Sequence, residues 1–121
     1  MRGAYGAYQN VQVSTADGPS LVVQLFDGAI RFLGRARQAL AAGNQPEFAY
    51  TLSRAHAIVA ELSNVLDRDT GGEVAQHLDR LYHFVLRHLT EGLIQRSSAH
   101  LDRVTTILQT LREAFDAART R

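Results

Sequence analysis

Hydrophobic positions recur at helical spacing through most of this chain. Phe48, Leu52, Ala55, Val59, Leu62 and Leu66 step by 4, 3, 4, 3 and 4 residues, and Leu101, Val104, Leu108, Leu111, Phe115 and Ala118 by 3, 4, 3, 4 and 3. Such steps build one apolar stripe per helix, in the heptad-like register of helices packed side by side. Breakers divide the pattern into four. Pro19 suits the first turn of a helix, behind Asp17 or Gly18 as cap, and this helix should stop near Ala42 at Gly43-Asn44. Asn44-Gln45-Pro46-Glu47 reads as a capping box opening a second helix to about Asp67. Thr70-Gly71-Gly72-Glu73 reads as another, opening a third helix to about Gln95. Ser97 or Ser98 caps a fourth over about Ala99 to Ala118. Connections this short force consecutive helices antiparallel. The expected fold is all-α, an antiparallel up-down four-helix bundle over residues 18–121. Residues 1–17, where Val11 and Val13 alternate, are expected to form an extended N-terminal arm.

The helices carry more apolar surface than one stripe each. In the first, Val22, Leu25, Ala29, Phe32 and Ala36 form one stripe, and Val23, Phe26, Ile30 and Leu33 another. In the third, Leu78, Tyr82, Val85, Leu89 and Leu93 run beside Val74, His77, Leu81, Phe84 and His88. The second adds Ile58 and Val65 to its main stripe. Two readings fit. Wide stripes serve a helix that meets two neighbours in a bundle. Alternatively, part of this surface is a groove for a segment of another protein.

Composition narrows the chemistry. The 121 residues suffice for one domain, and 45% are hydrophobic, enough for a core. There is no Cys, so disulfides and thiolate chemistry are excluded. All 13 basic residues are Arg, which excludes a P-loop lysine and Schiff-base catalysis. The formal net charge is +1 with both signs interspersed, a poor match to nucleic acid. No stretch has the length of a membrane span or a signal-peptide core, so a cytoplasmic protein without membrane insertion is expected.

Catalytic, cofactor and metal sites are not expected. No Glu is followed three residues later by His, as a di-iron bundle requires. His56, His77, His83, His88 and His100 include no pair three or four residues apart, so no single helical turn presents two imidazoles to one ion. No spacing suggests a Ser-His-acid set.

Two motifs are more specific. Ala7-Tyr8-Gln9-Asn10-Val11-Gln12-Val13-Ser14-Thr15-Ala16 leads into Leu25-Phe26-Asp27-Gly28-Ala29-Ile30-Arg31-Phe32-Leu33. Further on comes Leu66-Asp67-Arg68-Asp69-Thr70-Gly71-Gly72-Glu73-Val74-Ala75, followed by Leu78 and Leu81-Tyr82. Both resemble motifs of the flagellar secretion chaperone family, FliS, and occur at the family's spacing. This chain departs from the usual pattern at Asp17-Gly18-Pro19, Gln24-Leu25-Phe26 and Gly92-Leu93.

The resemblance implies a non-enzymatic chaperone with no cofactor. Its partners would be the C-terminal segment of flagellin, disordered when free and helical when bound, and the flagellar export apparatus. It implies that masking this segment prevents premature polymerisation and keeps the subunit competent for type III secretion. The arm would resemble a lid over part of the groove. The expected client contacts are Tyr8 and Val11 in the arm, and Phe26, Ile30, Ile58, Val65, Leu81 and Phe84 on the second stripes. The alternative is a generic helical adaptor or a homodimeric bundle whose extra stripes pair with themselves.

Overall fold

The computed structural model describes residues 14–119, which form four α-helices: α1 (Ser14–Ala41), α2 (Gln45–Asn64), α3 (Gly72–Gln95) and α4 (Ser98–Arg119). Each helix packs on its neighbours in chain order, and α4 closes back on α1, the closed ring of an up-down bundle. Phe26, Ala29, Leu33 and Ala36 of α1 meet Phe48, Leu52, Ala55, Val59 and Leu62 of α2, Tyr82, Val85 and Leu89 of α3, and Leu101, Val104 and Leu108 of α4 in one core. The core stripes of α2 and α4 follow the expected register. That of α1 draws on both sequence stripes, because the helix is rotated so that Phe26 and Leu33 point inward beside Ala29 and Ala36.

The helix ends show where local chemistry competes with the helix. α1 begins at Ser14, five residues ahead of the expected start, so it takes in residues 14–17 of the segment read as an arm. Pro19 falls in its second turn. Proline has no N–H, so this turn forgoes one backbone hydrogen bond. Gly43 ends the helix with φ of 71°, a left-handed conformation that favours glycine. Asn44 caps α2 as expected, its side-chain oxygen accepting the Glu47 N–H at 3.2 Å. The Glu47 carboxylate turns to Arg35 of α1, 3.1 Å away, and so forms an ion pair across helices.

The α2–α3 connection departs from the expected capping box. α2 ends at Asn64 and α3 starts behind Gly71, which has no side-chain cap. Thr70 donates its hydroxyl to Asp67 instead. The Asp67 carboxylate also accepts the N–H groups of Asp69 and Thr70 at 3.1 and 3.2 Å. An Asp that bonds its own downstream backbone offers the chain an alternative to helix. Arg68 fastens the loop on both sides. It donates to the Ser63 carbonyl at 3.0 Å, to the Ser63 hydroxyl at 3.0 Å, and to Asp79 of α3 at 3.0 Å. The two glycines serve different needs. A Cβ on Gly71 would lie 2.5 Å from Ala75 Cβ and 2.6 Å from the Asp67 carbonyl, whereas Gly72 sits at φ of 60°. The second sequence motif is therefore a compact, self-bonded turn.

Candidate protein-binding surface

The α1–α2 seam is built around Gly28. A Cβ there would meet Ile58 Cδ1 at 3.4 Å, so Ile58 lies over Gly28 from the opposing helix. Antiparallel helices run past each other in opposite senses. Seven residues back from Gly28 is Leu21, and seven on from Ile58 is Val65, both two turns or ~10 Å along the seam. Leu21 is 41% exposed and Val65 43%. Leu25, between Leu21 and the contact, and Ile58 at the contact itself are half-buried against the core. Farther along, the Phe32 ring lies under the guanidinium groups of Arg35 and Arg54, at 5.2 and 5.8 Å from its centroid. The seam is open and apolar at one end and roofed by cations at the other.

The remaining expected contacts are not gathered on this seam. Phe26 is 0% exposed and packs against Phe115 with ring centroids 5.5 Å apart, so its side chain belongs to the core. Ile30 is half-buried one turn beyond Asp27, which pairs with Arg112 of α4 at 2.9 Å, and so lies on the α4-facing flank of α1. Leu81 and Phe84 are half-buried on α3. Phe84 stacks on His88 at 4.9 Å, and His88 stacks on His100 of α4 at 4.1 Å, which places that flank beside α4. At its end Val74 is 68% exposed. Ile58 and Val65 thus lie on one side of the ring of helices, and Leu81 and Phe84 on the opposite side. Tyr8 and Val11 lie outside the described residues.

The α3–α4 hairpin also carries a polar cluster. His88 Nδ1 is 3.5 Å and His100 Nε2 3.8 Å from the same Glu91 carboxylate oxygen. His100 Nδ1 is hydrogen-bonded to the Ser97 hydroxyl at 2.7 Å, and Ser97 also caps α4 by accepting the His100 N–H at 3.3 Å. Gly92 allows the approach, since a Cβ there would lie 2.9 Å from His100 Cβ. Burial lowers the pKa of His88, with the neighbouring His100 and Arg103 acting in the same direction and Glu91 against them. Burial likewise pushes the Tyr82 phenol up to about 12, so it stays neutral.

These features suit binding, and comparison with known proteins gives them a context. The family model described as "Flagellar protein FliS" matches residues 1–121. The chain belongs to the FliS family. It is 32% identical over 120 residues to the flagellar secretion chaperone FliS of Vibrio cholerae serotype O1, covering 96% of this chain and 88% of that one. It is 33% identical over 113 residues to the flagellar secretion chaperone FliSB of Pseudomonas aeruginosa, covering 90% of each. The flagellar secretion chaperone FliS of Bacillus subtilis is 26% identical over 118 residues, or 98% of this chain and 87% of the relative. FliS is a family of secretion chaperones and not of enzymes, which implies a client protein and an export apparatus. Among the described residues, no helix is long and apolar enough to cross a membrane.

Sequence reasoning did not single out Leu21 as a contact, because an apolar residue near a helix start has no periodic signature of its own. It also missed the His88–Glu91–His100 cluster. Spacing within one helix says nothing about an imidazole delivered from the next.

Proposed function

We propose that this FliS-family chain is a cytoplasmic chaperone for flagellin. It binds the subunit's C-terminal segment, prevents its polymerisation and hands it to the flagellar type III export apparatus. The observation that carries this reading is the exposed pair Leu21 and Val65, continuing the Ile58–Gly28 contact into an open apolar track. A disordered client loses conformational entropy when it orders, and needs extended apolar contact to compensate. The second set of expected contacts, Leu81 and Phe84 with Val74 beyond them, lies across the bundle. A client that uses both tracks must therefore wrap around the chaperone, as a long flexible segment does and a folded domain does not. Ile30 lies on the flank between α1 and α4, and Tyr8 and Val11 ahead of α1 belong to the same proposal.

The test is calorimetric titration with flagellin from the same organism, full-length and lacking its last ~40 residues, a length that spans ~60 Å as helix. Binding of the intact subunit, lost on truncation and accompanied by a negative heat-capacity change, is expected for burial of apolar surface. Equal affinity for both forms would move the contact elsewhere on flagellin. No binding to either would remove flagellin as the client.

A further inference from the structure

We propose that His88, Glu91 and His100 form a binding site for one divalent metal ion of the zinc class, which pins α3 to α4. The donor set is two imidazoles and a carboxylate, the ligand types zinc takes with bonds of ~2.0–2.2 Å. A tetrahedral ion with such bonds holds its donor atoms ~3.4 Å apart. The two imidazole nitrogens already lie 3.5 and 3.8 Å from one Glu91 oxygen, and all three donor atoms lie within 4.8 Å of one another.

The surroundings fit a ligand site as well as the distances do. A metal-bound imidazole is normally oriented by a hydrogen bond from its other nitrogen. With its proton on Nδ1, His100 donates to the Ser97 oxygen at 2.7 Å, which leaves the lone pair on Nε2, 3.8 Å from the Glu91 oxygen. The Glu91 side chain is 55% exposed, which gives an ion an entry path and water to complete its coordination. The Arg103 charge near His88 opposes a cation and limits the affinity.

Binding has a structural signature. The His88 and His100 rings are stacked at 4.1 Å and inclined by only 23°, whereas two imidazoles on one tetrahedral ion direct their nitrogens ~110° apart. The His88 ring must turn about χ2, a broad torsion, while Ser97 holds His100 in place, and the stack opens.

The experiment is titration of chelator-stripped full-length protein with zinc sulfate, followed by calorimetry and by imidazole NMR signals. Cobalt(II) absorption gives an independent readout of coordination. One equivalent is expected to bind, shifting His88 and His100 and leaving His56, His77 and His83 unmoved. Glu91→Gln and His100→Asn should each weaken binding at least tenfold with helicity unchanged. Ser97→Ala should weaken it about tenfold through loss of the orienting bond. No zinc uptake by the wild type, wild-type affinity in the Glu91→Gln/His100→Asn double variant, or shifts confined to His77 or His83 would each overturn the proposal.

Discussion

Phe26→Ala and Val65→Asp together test where the core ends and the binding surface begins. Phe26 is 0% exposed and packs on Phe115 within the central cluster. Truncation removes the ring's burial and leaves a cavity the neighbours fill only in part, which costs about 3–5 kcal/mol. A domain of this size has a total stability of about 5–15 kcal/mol, so the loss is a large fraction of it. With a urea slope of ~1–3 kcal/mol/M, the midpoint should fall by at least about 1 M at unchanged slope. Val65 is 43% exposed beside the C-terminus of α2, and surface changes of this kind shift stability by about 0.5 kcal/mol or less. Complete burial of a Val side chain contributes about 1.5–3 kcal/mol, so the 43% still open is worth about 0.6–1.3 kcal/mol to a client that covers it. That is about three- to ninefold in affinity, and a carboxylate left unpaired under the client adds to it. Urea unfolding followed by circular dichroism, with client titration of each variant, measures both quantities. Wild-type stability in Phe26→Ala would refute its place in the core. Wild-type client affinity in Val65→Asp would refute the α1–α2 seam as the track.

Three further outcomes are expected. Gly71→Ala places a Cβ 2.5 Å from Ala75 Cβ and 2.6 Å from the Asp67 carbonyl, and should lower stability by about 1–3 kcal/mol in thermal or urea unfolding. Asn44→Ala removes the cap on the Glu47 N–H and should cost about 1 kcal/mol by the same assay, with Asn44→Asp close to wild type. Asp67 has its pKa lowered below the ordinary 3.8, first by the Thr70 hydroxyl and then by backbone N–H groups. The unfolded chain therefore binds this proton more tightly, so the stabilisation is complete above the ordinary value and is lost as pH falls through the lowered one. Asp67→Asn should flatten the acid limb of a stability–pH curve, and an unchanged limb would remove Asp67 from the turn's acid sensitivity.

Much of the fold was legible because its causes are local or periodic. The four helices, the Asn44 cap, the Gly43 stop, the Ser97 cap and the core stripes of α2 and α4 all follow from residue types a few positions apart. The Thr70 capping box failed because Asp67 lies close enough in sequence to capture the same hydroxyl and amides first. The early start of α1 was hidden because proline suits a first turn and is disfavoured further in, so Pro19 marked a start that the helix precedes.

The sequence by itself determined the all-α class, the antiparallel order and the family, since spacing, breakers and the two motifs need no knowledge of packing. Only the tertiary structure decided what each apolar residue does. Phe26 and Ile30 look alike in a periodic pattern, but the rotation of α1 buries the first and leaves the second half-buried on a flank. That rotation is set by the side chains of three other helices acting at once. The same is true of His88, Glu91 and His100, two helices' residues brought together where Gly92 lets the backbones approach.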